Sequence, residues 1–230
     1  AREISVRSYS SSVSLSGYGV ATITDNALTS LSLAGSGGGV TITDALAPAT
    51  ATTLALAVSG LTDAVGLTDT NNEISTINVT TAGSSASKLA SITDTGLTTL
   101  AVSGTQQLVI AGATGGAALT TVTVSGGAGL GITLGVGTSF TSTGTGTDIV
   151  TIGAAATKTI TGNGTASEEI VWNGAAAPAA GTNYLGAVSG FKVLGVGGNV
   201  ANETFDLSKI TGFSGLDVQA NANAGTIQLI

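Results

Sequence analysis

The sequence predicts an all-β protein built as a parallel β-solenoid, and three observations carry this prediction. Short alternations of apolar and small polar residues occur along the whole chain, and they recur at a nearly constant spacing. No segment has the i, i+3, i+4, i+7 apolar pattern of an amphipathic helix, and the frequent Thr, Val and Gly are poor helix formers. Repeated strands, rather than helices, are therefore expected.

The repeated block contains two apolar residues that flank one small or polar residue, with Ser or Thr before it and Gly after it. Close copies are SVSLSG (12–17), LTSLSLAG (28–35), LTTLAVSG (97–104) and LTTVTVSG (119–126). The first apolar residues of successive copies are Val13, Leu31, Leu54, Ile77, Leu100, Val122, Val150, Ile170, Leu194 and Leu216. Their mean spacing is about 23 residues, a period typical of solenoids.

A second strand-like block lies between many copies, at 39–44, 107–112, 131–135 and 157–162, so each repeat contains at least two strands. A single repeat cannot bury its apolar stripe and must stack on the next one. We therefore expect about ten turns, ~4.8 Å apart, forming a rod of order 50 Å. In that rod the apolar residues form one internal ladder. A wide, three-sided, right-handed coil suits this period. An antiparallel sandwich or barrel stays open as the alternative.

The chain is expected to form one solenoid domain over 1–230, as part of a longer protein. The run AAAPAAG (175–181) predicts an inserted or irregular loop around 173–184, and the long step from Val122 to Val150 predicts another. Glycines are expected at corners that need a positive φ.

The composition excludes many functions. The 230 residues include no His and no Cys, so triads with histidine, cysteine nucleophiles, thiolate or imidazole metal sites and disulfides are excluded. The surface must be covered mainly by Ser, Thr, Asn and Gly, because charged residues make up only 8% of the chain. The net charge is −7, and the basic residues are scattered: Arg2, Arg7, Lys88, Lys158, Lys192 and Lys209. We expect no nucleic-acid partner and, since every apolar stretch is short, no membrane span.

One segment is a candidate calcium site. Residues 143–150 fit the glycine-rich nonapeptide of RTX calcium rolls at Gly144, Gly146 and Asp148, although Thr143 replaces the first glycine. Eighteen residues later the glycine spacing returns around Asn163, where Ala166 takes the acidic position and Glu168 lies nearby. The predicted ligands are therefore Gly144, Gly146, Asp148, Asn163 and Glu168, with calcium as the cofactor. Plain glycine corners are the alternative.

Acidic residues after Ile-Thr or Leu-Thr at 25, 44, 69 and 94 predict Asx turns that close strand ends. A cation held by Asp69, Asn71, Asn72 and Glu73 is the alternative. Catalysis would need converging acids, but neighbouring Glu168 and Glu169 should point to opposite faces of one strand. We therefore expect no enzyme. Ice binding would need Thr-x-Thr motifs in one register, and the eight occurrences do not keep the 23-residue period.

The repeat blocks 28–35 and 96–112, the RTX-like stretch 142–164 and the ending 189–230 resemble the lattice-forming β-solenoid region of Gram-negative surface-layer proteins. Related modules occur in large adhesins exported by type I secretion. The resemblance implies an extracellular, self-assembling coat ordered by calcium in RTX turns. Only Gly144, Gly146 and Asp148 match the calcium motif by position.

The expected function is therefore a secreted structural protein that self-assembles into a bacterial surface layer or extracellular filament. Its partners would be copies of itself, with cell-surface polysaccharide as a second candidate. The alternative is an adhesin stalk or a carbohydrate-binding passenger module.

Overall fold

The computed structural model describes residues 4–7, 11–35, 37–43, 52–62, 65–174, 178, 181–197, 204–219 and 228–229. The described chain is almost entirely β-strand and turn, apart from a short 3-10 helix at Gly116–Ala118. Strands are numbered in chain order.

Two parallel sheets form the two sides of the coil. The odd strands make an 11-stranded sheet, called sheet A. Its members are β1 Ile4–Arg7, β3 Ala21–Thr24, β5 Val40–Thr43, β7 Val65–Asp69, β9 Ser87–Thr93, β11 Leu108–Ile110, β13 Leu130–Leu134, β15 Ile149–Ile152, β17 Glu169–Trp172, β19 Val193–Val196 and β21 Gly215–Val218.

The even strands up to β18 make a 9-stranded sheet, called sheet B. Its members are β2 Ser12–Ser16, β4 Ser30–Ala34, β6 Thr53–Ser59, β8 Thr76–Ala82, β10 Thr99–Gly104, β12 Thr121–Val124, β14 Ser139–Ser142, β16 Ile160–Thr161 and β18 Val188–Ser189. A separate two-stranded sheet pairs β20 Thr204–Phe205 with β22 Gln228–Leu229.

The parallel β-solenoid is confirmed, because neighbouring strands within each sheet are parallel and are next but one to each other along the chain. Among the described strands no antiparallel pairing occurs, so the sandwich or barrel alternative is wrong. The coil has two sheets per turn rather than three sides. About eight full turns contain both sheets, slightly fewer than the ten expected. The right-handed coil stays a prediction.

The predicted ladder is correct in part. Leu54, Ile77, Leu100 and Val122 lie directly over one another in sheet B. Above them, Leu31 pairs with Leu56 rather than with Leu54, a shift of two residues that keeps the same face inward.

The single ladder is wrong beyond Val122. Val122 pairs with Phe140, whereas Val150 lies in the opposite sheet between Ile132 and Ile170. The series therefore crosses from sheet B to sheet A, and the step of 28 residues is not an inserted loop. Each turn contains two strands of similar sequence. The inward columns of the two sheets therefore resembled a single ladder in the sequence.

Turn length varies, and the corners absorb the variation. One turn takes 18 residues from Val13 to Leu31, and another takes 28 from Ile160 to Val188. The longest turn contains the irregular loop predicted around 173–184. Part of that loop lies outside the described residues, while 181–187 form no strand. The extent of the domain stays a prediction.

The core is the narrow space between the two sheets. In β6 the inward residues Leu54, Leu56 and Val58 are buried and the residues between them are exposed, as period-2 alternation predicts. Phe140 contacts Phe191 at a ring-centroid distance of 6.2 Å, and Trp172 contacts Tyr184 edge-on at 5.0 Å. Aliphatic ladders thus fill the first turns, and aromatic rings fill part of the last ones.

Candidate functional site

The inward columns change from apolar to polar at one corner of the coil. In each sheet an aliphatic column is continued by residues that carry hydroxyl or carboxyl groups, or by glycine. The sheet A column runs through Leu108, Leu130, Asp148 and Glu168, and the sheet B column through Val102, Val124, Ser142 and Gly162. Two acids therefore lie inside the coil, where the preceding turns hold leucine.

Asp148 is held by hydrogen bonds to the turns on both sides, to a backbone N–H on one side and to a side-chain carboxylate on the other. The Leu130 N–H donates to Asp148 Oδ1 at 2.7 Å, and the Asp148 N–H donates to Glu168 Oε1 at 2.9 Å. Asp148 and Glu168 are both 0% exposed. The two carboxyl groups lie just before β15 and β17 of sheet A. They thus take the place of backbone hydrogen bonds between neighbouring strands at this corner.

Glu168 occupies space that a side chain at position 162 would need. A Cβ added to Gly162 would lie 2.8 Å from Glu168 Oε2. Burial raises the pKa of Glu168 to about 7, and the neighbouring Asp148 carboxyl adds to this rise. Burial likewise raises the pKa of Asp148, while the nearby Ser142 hydroxyl opposes the rise without reaching hydrogen-bonding geometry.

Three buried oxygens of this corner have no hydrogen-bond partner: Ser142 Oγ, Asp148 Oδ2 and Glu168 Oε2. A buried polar atom without a partner costs free energy, so a shared proton, a bound water or a bound cation would stabilise these atoms. Oxygen donors of this kind are the ligands that calcium prefers. We call Ser142, Asp148 and Glu168 the corner cluster.

The structure brings together only part of the predicted calcium site. Asp148 and Glu168 are neighbours because the spacing between them is two residues longer than the eighteen-residue RTX spacing. The longer spacing places Glu168, not Ala166, beside Asp148. Ser142 was missed in the sequence, although its inward position two residues after Phe140 was a usable signal.

The other predicted ligands have structural partners. The Asn163 side chain donates to the Gly146 carbonyl at 2.9 Å and accepts from the Thr165 N–H at 2.9 Å. Gly144 and Gly146 have ordinary φ values, so the expected positive φ is wrong for them. They are glycines because the preceding corner is too close: a Cβ on Gly144 would lie 2.9 Å from the Gly126 carbonyl oxygen, and one on Gly146 would collide with Ala128. Calcium at these positions stays a prediction. In the described part of the chain, no three Asp or Glu side chains converge as a metal site.

The Asx turns are confirmed at three aspartates. Asp25 accepts from Ala27, Asp94 accepts from Gly96, and Asp69 accepts from the N–H groups of residues 71, 73 and 74. These bonds account for Asp69 without a cation. Asp44 lies outside the described residues.

The expected opposite orientation of the two neighbouring glutamates is confirmed. Glu168 points into the core, while Glu169 lies on the outer face of sheet A and accepts from the Gln219 side chain at 2.7 Å. Burial raises the pKa of Glu169, and Asp217 adds to this rise. Trp172 lies inward against Tyr184, away from any surface on which a sugar ring could stack.

Single threonines form a column on the outer face of each sheet. Thr22, Thr41, Thr68 and Thr93 form one column on sheet A. Thr53, Thr76, Thr99 and Thr121 form one on sheet B. The Thr-x-Thr motifs themselves do not share one register, since 121–123 lies beside 139–141 rather than beside the motif at 141–143. The next column of sheet B contains Ala55, Asn78 and Ala101, so its threonines do not form a uniform lattice.

Comparison with known proteins does not assign the chain to a family. The chain matches no protein-family model, and a search of curated proteins found no similar sequence. Among the described residues, no helix has the length and apolar character needed to cross a bilayer.

Proposed function

We propose that the protein is a secreted structural protein that self-assembles, at the bacterial cell surface, into a surface layer or an extracellular filament. The observation that carries the proposal is the exposed apolar rung at β21, that is, the inward apolar positions of the last strand of sheet A among the described residues. Leu216 and Val218 continue the buried inward positions of Leu194 and Val196, yet they are 42% and 48% exposed. An apolar rung of this kind favours a further strand, and another copy of the chain is the partner we propose.

The packing next to this rung supports the same proposal. An apolar pocket of about 300 Å³ lies beneath β21 and is lined by Leu194, Leu207, Ile210, Phe213 and Leu216, together with Ser214 and Gly215. Unfilled apolar space beside an exposed strand favours association, because closing it removes apolar surface from water.

Electron microscopy of the purified chain tests the proposal. Ordered sheets or fibres are expected to form with increasing protein concentration, and Leu216→Asp should reduce their formation. A chain that stays monomeric at all concentrations while binding glycans or cells would contradict self-assembly and favour the adhesin or carbohydrate-binding alternative.

We also propose that calcium binds at the corner cluster. The three unpartnered oxygens match the hard donors that calcium prefers, and backbone carbonyls would have to complete its coordination. When bound, the ion would neutralise the two buried carboxylates and join consecutive turns of the coil.

Thermal unfolding tests the calcium proposal. Calcium should raise the unfolding temperature of the wild-type chain, because a ligand that binds only the folded state stabilises it. Asp148→Asn should lose this response, whereas the exposed variant Asp217→Asn should keep it. An unfolding temperature that is the same in calcium and in chelator would overturn the proposal.

A further inference from the structure

Sheet B has an outer face of unusual composition. None of its nine strands contains a charged residue. No outward residue of these strands is buried, so nothing described covers the face. The outward side chains are Ser, Thr, Ala and Asn only: Ser12, Ser14, Ser16, Ser30, Ser32, Ala34, Thr53, Ala55, Ala57, Ser59, Thr76, Asn78, Thr80, Ala82, Thr99, Ala101, Ser103, Thr121, Thr123, Ser139, Thr141, Thr161 and Ser189.

Sheet A differs on both counts. Its strands carry Lys88, Glu169 and Asp217 in outward positions. Its outer face is also partly covered, since Glu169 and Val171 are only 9% and 3% exposed. Of the two broad outer faces, the face of sheet B is therefore the one that is uncovered and uncharged among the described residues. Its side chains are small and nearly equal in size.

We propose that the outer face of sheet B is a docking surface on which a second copy of the chain packs face to face. This inference rests on the proposed self-assembly and names a second surface that takes part in it, besides the exposed apolar positions of β21.

Charge favours a second copy as the occupant. The chain has a net charge of −7, so two copies repel one another wherever their acids meet. Contact through the outer face of sheet B leaves the charged residues of the strands outside the interface. Ser and Thr hydroxyls both donate and accept hydrogen bonds, so the same face can pair with itself about a twofold axis.

The size of the face also suits this partner. Nine strands ~4.8 Å apart, each about five residues wide, give a face of roughly 650 Å² per copy. Two such faces bury about 1,300 Å², which is at the lower end of stable interfaces. Small side chains let the two sheets approach closely, at about 10 Å, as in stacked sheets. A modest contact repeated over many copies is appropriate for a lattice.

Ala101, at the centre of the face, provides the test. Ala101→Glu places like charges at the contact and is expected to weaken self-association at least tenfold in sedimentation equilibrium, compared with the wild-type chain. The matched control is Thr133→Glu, which puts the same charge on an exposed strand position of sheet A. It should leave the association constant unchanged. Circular dichroism of both variants verifies that they fold.

A second variant does not depend on added charge. The chain has no cysteine, so Ala101→Cys introduces a single thiol. Mild oxidation should link Ala101→Cys copies into dimers, and Thr133→Cys copies should link much less. Equal crosslinking of the two variants would overturn the proposal.

The experiments distinguish an error in the docking face from an error in the proposed self-assembly. If Ala101→Glu still forms ordered sheets like the wild-type chain, the docking face is wrong while self-assembly stands. If the wild-type chain forms only dimers that Ala101→Glu abolishes, the docking face stands and the lattice is wrong. If Ala101→Glu loses binding to cell-surface polysaccharide but keeps self-association, the occupant is the glycan, and the face-to-face contact is overturned.

Discussion

At the scale of single residues, Asp94 shows how one carboxyl group supports a turn and also destabilises it. Its Oδ1 accepts from the Gly96 N–H at 2.7 Å, and its Oδ2 is buried without a partner. Thr68 pairs with Thr93, which places Asp69 beside Asp94 on the next turn. Burial, with a smaller contribution from the Asp69 charge, raises the pKa of Asp94 to about 6.

The free energy of unfolding should therefore fall as pH rises through about 6. The native state holds the Asp94 proton at a pH where the unfolded chain, with a pKa of 3.8, has lost it, so the contribution is complete only at low pH. Asp94→Asn keeps the turn acceptor and removes the charge. It should stabilise the protein by about 1–2 kcal/mol at pH 8 and have little effect at pH 4. Urea unfolding at several pH values measures this.

Asp206→Asn is the control for that series. Hydrogen bonds from Ser208 and Gly181 hold the pKa of the exposed Asp206 below its usual range. This variant should keep the wild-type pH dependence between pH 5 and 8. If Asp94→Asn also keeps it, the assignment to Asp94 is wrong.

Glycine at a corner is required where two turns meet closely. Gly104 has a φ of +117°, and a Cβ there would collide with the Thr81 carbonyl oxygen. Gly104→Ala should cost more than about 3 kcal/mol or prevent folding. Gly137→Ala, with nothing within 4 Å and no positive φ, should stay within about 1 kcal/mol of wild type. Equal denaturation midpoints for the two variants would refute this packing.

At the scale of the strand, two repeated interactions hold successive turns of the coil together. Inward aliphatic residues stack within sheet B, and hydroxyls just before its strands bond to the previous turn. Ser75 Oγ donates to the Thr52 carbonyl, Thr98 Oγ1 to the Ser75 carbonyl, and Thr120 Oγ1 to the Thr98 carbonyl, at 2.9–3.2 Å. Part of the Ser and Thr content is therefore structural.

Adjacent residues of β10 should respond very differently to truncation. Leu100 is 0% exposed between Ile77 and Val122, so Leu100→Ala should cost about 2–5 kcal/mol through lost burial and a cavity. Thr99→Ala, on the outer face, should change stability by less than about 0.5 kcal/mol. Chemical denaturation of both variants checks the prediction. A large effect of Thr99→Ala in the monomer would contradict it.

At the scale of the whole molecule, the strands of each turn of the solenoid pair only with strands of the turns beside it among the described residues. Stability in such a stack is a sum over turns and their interfaces, so central turns gain two neighbours and terminal turns one. The chain should therefore open from its ends rather than in one step.

Hydrogen exchange of the monomer should show this gradient. Backbone amides in β6 to β15 are expected to exchange at least about tenfold more slowly than those in β2 and β21. Mass spectrometry of peptic fragments provides the measurement. Uniform protection along the stack would show that the coil instead unfolds as one cooperative unit.

Local patterns were enough to predict strands, their stacking into a parallel coil and the Asx turns. Alternation in β6 and the Asp69 turn depend on residues close together in the chain. The pairing of Val122 with Phe140, the meeting of Asp148 with Glu168 and the uncharged outer face of sheet B required the folded coil. Register between parallel strands depends on how many residues each corner contains and how closely its backbone packs on the corner before it. Both are long-range properties, and no local alternation records them.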